Sequence, residues 1–366
     1  MNYYQSRIMT IDELIKVEEA KRKEKERQNE KLFFAIEKEF KLENYLKQLT
    51  KQELDKIRQG MKIQGISSYK KNDLIIVLSQ AIREGIYQII NVGAGLNELN
   101  YIKKVLNNDG VVEYDVKQNE QIIYLRSLGI IFTGTNENKN KVVVIPEELL
   151  GKIETILLDT QFVSKIVEKC IWAKVAFGLL HYYGVMEMSL LHKLTCSLLK
   201  KNIDETQFIL KLISYTESNR RINNIGLTFF DLGVINPEYI LEQQDRKNDI
   251  SYYKLTLEDV VKVAEEDTFI WNEYDRNFCK FMIEVLSLAQ EYSTFLVNRC
   301  KYFIKNGFKI IDIMKYYFGL IVFSSVKEVN SFTKCVQDVN DNCRTWILKG
   351  NTKQEMMSPK KFNLCE

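Results

Sequence analysis

Proline is almost missing from this chain: three residues, at positions 146, 237 and 359, in 366. Glycine is sparse as well, at 16 residues. Helix interiors exclude both, proline because it lacks an N–H and its ring clashes with the preceding turn, so few of either points to a mainly helical protein. Histidine is scarcer still, only His181 and His192, which leaves little for histidine–metal chemistry; the expectation is a packed helix residue and a surface one. The seven cysteines (170, 196, 279, 300, 335, 343, 365) are odd in number, scattered, and never spaced Cys-x-x-Cys. That excludes a disulfide framework and a structural zinc site and points to reduced thiols in a cytoplasm. The longest apolar run near the C-terminus, Phe318 to Phe323, is far short of the roughly 20 residues that span a bilayer. No basic flank precedes an apolar core in MNYYQSRIMT, so neither a secretory signal nor a membrane role is expected.

Motifs that carry chemistry are also missing. There is no Gly-x-x-x-x-Gly-Lys-Ser/Thr loop, no Gly-x-Ser-x-Gly elbow and no His-Glu-x-x-His pair. Gly93-Ala94-Gly95 falls short of a dinucleotide fingerprint and follows a helix-like stretch rather than a strand. No cofactor, metal ligand or catalytic residue is therefore assigned. The one acidic set with catalytic geometry is Glu113, Asp115 and Lys117: alternation on a strand puts all three on one face, where carboxylates hold magnesium for phosphodiester cleavage. Charges guarding an exposed strand edge account for the same pattern. Glu265-Glu266-Asp267 reads as solvated helix charge.

What is present is a folded composition, 45% apolar and 28% charged, over a length that calls for roughly two or three domains. Lys+Arg number 52 against 49 Asp+Glu, a net charge of +3, and lysine far outnumbers arginine. Forked readers of guanine or phosphate are thus scarce, and any nucleic-acid contact must come from a local patch. The chain divides into a charged helical segment over 1–40, a helix–extended–helix module over 41–90, a winged-helix-like unit over 91–150, a second and looser one over 151–255, and a C-terminal helical domain with a polar tail over 256–366. In the first segment, pairs such as Glu18–Arg22 describe a solvated single helix with no sustained heptad.

The patch lies in the second segment. Thr50 followed by Glu53 is a capping-box start, and Leu54, Ile57 and Met61 recur at helical spacing. Gly60, Gly65 and Ser67-Ser68 interrupt the pattern, and a second helix follows with Leu74, Ile75, Leu78 and Ile82 on its apolar face. Lys47, Lys51, Lys56, Arg58, Lys62, Lys70 and Lys71 stand against only Glu53 and Asp55, a local excess of five positive charges. Such an excess attracts phosphate through counterion release, while the Ser67 and Ser68 hydroxyls and helix-start amides fix register.

The run LTKQELDKIRQGMKIQGISSYKKNDLIIVL, Leu49 to Leu78, resembles the SAP-like domain at the N-terminus of the Rho transcription termination factor. That family joins an apolar helix, a glycine-containing connector and Ser-x-x-Lys-Lys ahead of a second helix. The resemblance covers about a tenth of the chain, and related units bind DNA, RNA or neither.

Beyond it, Asn97–Leu106 reads as a helix, Val111–Tyr114 as an extended piece, Glu120–Leu128 as a helix ended by Gly129, and Ile130–Thr133 with Lys141–Ile145 as a hairpin. The looser copy has helices at Trp172–Tyr182, Ser189–Lys200 and, N-capped by Asp204, Asp204–Ser214; strand-like Leu227–Phe230 and Ser251–Leu255 flank a polar loop at Gln243–Asn248. Its third helix is too apolar for base readout. From Thr256 on the chain reads as helical. Phe278, Phe281, Met282, Val285, Leu288, Tyr292, Phe295 and Leu296 form one core-facing stripe, and Ile310–Val322 a central helix. Asp341–Met356 resembles uncharacterised proteins of low-GC Gram-positive bacteria, with an Arg-x-Trp helix, a glycine and a Thr turn leading to Glu. Some of those carry a SEC-C zinc knuckle, but Cys365 stands alone here, so that likeness implies no zinc.

The functional expectation is a non-catalytic, cytoplasmic protein of bacterial or phage type. Its SAP-like module contacts DNA or RNA backbone nonspecifically, and its C-terminal helical region contacts a protein. The alternatives are a protein-interaction scaffold without nucleic-acid binding, and a metal-dependent nuclease centred on Glu113 and Asp115.

Overall fold

The computed structural model describes residues 10–30, 33–34, 41–61, 63–219, 221–265 and 269–357. Lys62, Glu266, Asp267 and Cys365 lie outside these, as does the side chain of Arg22. Helices predominate, as the shortage of proline and glycine predicts. The chain opens with α1 (Ile11–Glu30), α2 (Leu42–Gln48), α3 (Lys51–Gly60), α4 (Lys71–Gly93) and α5 (Leu96–Leu106), then β1 (Val111–Glu113), α6 (Asn119–Ser127), β2 (Phe132–Thr135) and β3 (Lys141–Val144). It continues with α7 (Glu147–Leu158), α8 (Thr160–Tyr183), β4 (Val185–Glu187), α9 (Met188–Leu199), α10 (Glu205–Asn219), β5 (Ile222–Ile225) and β6 (Thr228–Asp231). Last come α11 (Pro237–Asp245), α12 (Leu257–Glu265), α13 (Glu273–Glu284), α14 (Gln290–Lys305), α15 (Ile310–Phe318), α16 (Val326–Asn342) and α17 (Lys353–Met357). None of the described helices is long and apolar enough to cross a membrane. The described cysteines are all free thiols.

Two compact units form, neither continuous in sequence. The first holds Val17–Ala173 and Asp204–Arg220, the second the chain up to Lys16, Lys174–Ile203 and everything from Arg221. In the first unit, Leu54, Ile57, Leu74, Leu78 and Ile82, the positions picked by helical spacing, are buried with Leu125, Phe132 and Val143 in one core. The capping box closes as its residues dictate: the Glu53 amide donates to Thr50 Oγ1 at 3.2 Å and the Thr50 amide to Glu53 Oε2 at 2.8 Å. Helix α2, not foreseen from the sequence, buries Leu42, Tyr45 and Leu46 and stacks Tyr45 on Phe132 at 5.0 Å. Its first amide donates to the Glu148 carboxylate at 3.0 Å, an anion at the positive end of a helix.

Strands β1, β3 and β2 make an antiparallel sheet in that order, with α5 ahead of it and α6 between β1 and β2, the expected wing-like hairpin. Gly129, at φ 72, turns the chain out of α6 in the left-handed region. Helix α10 packs on α4 and α6. It buries Phe208, Leu212, Lys211 and Ser214, and Lys211 donates to the Ala94 carbonyl at 2.9 Å.

In the second unit β4, β6 and β5 form another antiparallel sheet. Here the sequence reading needs correction. Ser251–Leu255 is not a strand; β6 pairs instead with Ile222–Ile225 across a turn at Gly226, φ 59. The expected polar loop at Gln243–Asn248 begins inside α11, which is N-capped by Asn236 and carries Pro237 in its first turn. The aromatic stripe breaks into α13 and α14: Phe278, Met282 and Leu296 are buried, whereas Val285, Tyr292 and Phe295 are exposed. Likewise Ile310–Val322 is not a central helix. It stops at Phe318, buries Ile313, Met314 and Tyr317, and leaves Ile311, Phe318, Leu320 and Val322 exposed. Trp346, on a 3-10 turn rather than a helix, is fully buried, and Arg344 forks onto Glu355 at 3.0 and 3.1 Å.

A polar seam runs through this unit. His181 Nδ1 lies 3.5 Å from the Asp231 carboxylate. Burial, then the neighbouring Lys305 and Arg221 cations, push the imidazole down to about 4 against the pull of Asp231. The contact at neutral pH is therefore a hydrogen bond to a neutral ring, not an ion pair. An unfolded histidine takes its proton near 6.5, so below that pH the unfolded chain binds more protons than the fold. Stability is thus whole above about 6.5 and falls as pH drops towards 4. Urea unfolding across this window should show the loss, and H181Q should flatten it.

Candidate nucleic-acid interface

Helices α3 and α4, with the connector between them, carry the residues assigned from the sequence. Their apolar stripes are turned into the first unit's core, which forces the polar positions outward. Lys47, Lys51, Lys56, Lys70 and Lys71 are exposed, as are Ser67 and Ser68 in a turn after Ile66. Proximity is shown for one pair: the Lys71 ammonium donates to the Lys47 carbonyl at 2.7 Å, bringing the start of α4 to the end of α2.

Not every cation in the set is available. The Lys47 ammonium sits 3.0 Å from Glu43. Arg58 is turned inward, its guanidinium on Asp55 at 2.9 Å and on the Ile63 carbonyl at 2.8 Å. Lys62 lies outside the described residues. Lys51, Lys56, Lys70 and Lys71 make no ion pair among the described residues. Glu53 does not offset them, because its carboxylate is taken by Arg126 at 2.9 Å. Against a burial that would raise it, the Thr50 amide and the Arg126 guanidinium hold this carboxyl below its usual range. Neither serine caps α4, whose Lys70 N-cap makes no side-chain hydrogen bond.

The winged elements present no base reader. Helix α6 buries Asn119, Ile122, Leu125 and Arg126, and α10 buries Lys211, so neither can enter a groove with several long polar side chains.

The acidic set does not assemble. Strand β1 ends at Glu113, the chain enters a 3-10 turn at Val116–Gln118, and Asp115 Oδ1 is used at 2.9 Å by the Lys117 amide. Alternation fails because the strand is too short to carry it. An open hollow touches Glu113 and Asp115, but Lys104 and Lys141 also line it, and no group of three metal-ligating side chains exists among the described residues.

No protein-family model, curated protein or solved structure matches this chain.

Lys301 and Lys305 are buried in the second unit although charge alone would place them on the surface. They continue the buried row of Val297 at four-residue steps along α14, so lysines on an apolar face were the available signal.

Proposed function

We propose that the first unit binds nucleic-acid backbone nonspecifically through the SAP-like module α3–α4, with Lys51, Lys56, Lys70 and Lys71 as phosphate contacts. The observation that supports this reading is four exposed ammonium groups, none in an ion pair among the described residues and only Lys71 tied to a backbone carbonyl, on a small module seated by its buried stripes. Lysine is a point-charge phosphate binder, so the contact is salt-sensitive and indifferent to sequence, and DNA and RNA compete. Filter binding of a mixed-sequence duplex should weaken steeply with salt. Replacing the four lysines with Ala should lower the slope of log K against log salt by roughly 3 to 4. Undetectable binding at low salt, or a variant with the wild-type slope, rejects the proposal.

A second reading, a protein-interaction role for the C-terminal helical region, is favoured by Ile311, Phe318, Leu320, Val322 and Val326. These are large apolar side chains exposed close together in sequence along α15, in the connector that follows it and at the start of α16. If it holds, the full chain retains a stoichiometric partner after nuclease treatment and loses it in F318S/V322S.

A further inference from the structure

Inside the second unit is a cavity of about 220 Å³ whose wall includes His181, Trp271, Lys301, Lys305, Arg344 and Thr352. Three cationic side chains line it and, among the described residues, no carboxylate does. Lys301, 5% exposed, is matched by the fully buried Asp275, and Arg344 by Glu355. Lys305, 4% exposed, has no carboxylate within ion-pair distance among the described residues. Its ammonium donates to the His181 carbonyl at 2.9 Å, approaches His181 Nε2 at 3.4 Å, and lies 5.1 and 5.2 Å from the rings of Phe269 and Trp346. Asp231 lies behind that histidine, 3.5 Å from its Nδ1, and favours the Lys305 charge only from that distance, through the neutral ring.

A carbonyl and two ring faces solvate a cation only in part, and an isolated charge in such surroundings is costly unless an anion joins it. The strain shows in the ammonium's affinity for its proton, which burial pushes down to about 8. A second ammonium completes the wall, while the Thr352 hydroxyl is taken up by Glu355, whose amide it accepts at 3.1 Å and to whose carboxylate it hydrogen-bonds. Lys301, bonded to Asp275 and the Ile270 carbonyl, keeps a third N–H.

We infer that this cavity binds a small oxyanion, a carboxylate or a phosphate, with Lys305 as its counter-charge. The volume admits an organic acid or phosphate monoester and no nucleic-acid strand, so the site is separate from the lysines of the first unit.

The test uses the full chain and two probes, inorganic phosphate and malonate, each titrated against chloride of matched ionic strength. Calorimetry should give saturable one-site binding of at least one probe, and the arm that saturates identifies the class. Tryptophan emission should change with the same midpoint, since Trp271 lines the wall, and in W271F that change should shrink while the heat of binding remains. K305M should weaken binding at least tenfold and K305R should preserve most of it. Saturation by neither probe overturns the inference. So does a folded K305M that binds as wild type. Should K305M not fold, the wild-type and W271F titrations decide alone.

Discussion

Gly178→Ala should destabilise the second unit, by about 1–3 kcal/mol or more, although alanine is ordinarily the better helix residue by roughly 1 kcal/mol. Gly178 lies inside α8. A Cβ there would collide with the Val260 carbonyl oxygen and come within 2.7 Å of that residue's carbonyl carbon and Cα. These are backbone atoms, which cannot rotate aside, so α12 must move off α8 or the helix must distort. The comparison that isolates the cause is Gly151→Ala in α7, where nothing lies within 4 Å of the built Cβ. That change should stabilise by about 0.5–1 kcal/mol. Urea unfolding of the two variants should therefore move in opposite directions. Equal shifts would mean that close approach of backbone at Gly178 is not what holds these helices.

A still larger effect is expected at Asp275. Its carboxylate is fully buried against Lys301 and also accepts the Asn272 amide at 2.8 Å, closing the cap of α13. Asp275→Ala removes both contacts at once and strands a buried ammonium, a loss of about 3–5 kcal/mol. The double variant D275A/K301M should recover a substantial part of that, because it removes the stranded charge along with its partner. If the double variant is as unstable as D275A, the penalty comes from the lost cap, worth about 1 kcal/mol on its own, together with the void. Denaturant midpoints on the full chain distinguish the two.

Much of the helical framework was legible because it is locally encoded. Thr50 with Glu53, Thr256 with Asp259, and Asp204 ahead of Gln207 announce helix starts by the chemistry of unsatisfied amides, and all three form. The wing of the first unit was legible from two β-branched runs around a polar tip. The second sheet was not, because strand β5 reads Ile-Asn-Asn-Ile, and the two strand-poor asparagines at its centre hide the signal of the isoleucines. Ser251–Leu255 drew the strand assignment with its two tyrosines, but the centre of the sheet was already filled: β6 has β4 on one side and β5 on the other. The cavity was the least legible of all. Lysines four residues apart on a helix look like solvent-facing charge until that face of α14 is seen to be core, and Trp271, Arg344 and His181 reach that wall from distant parts of the chain. The lysines proposed to contact phosphate stand out by counting, but counting does not reveal that Arg58 is turned inward or that Lys47 is paired with Glu43.

Helix α10 carries a consequence for how the molecule is made and dissected. The first unit's segments as far as Ala173 leave the ribosome well before residues 204–220, the stretch that completes that unit. Until then the sides of α4 and α6 on which α10 packs have no cover, and a nascent chain paused in this interval offers a greasy slot to chaperones or to a second copy of itself. No single cleavage point yields two self-sufficient halves. A fragment beginning at residue 151 would carry α10 without its seat, and one ending there would carry the seat without α10.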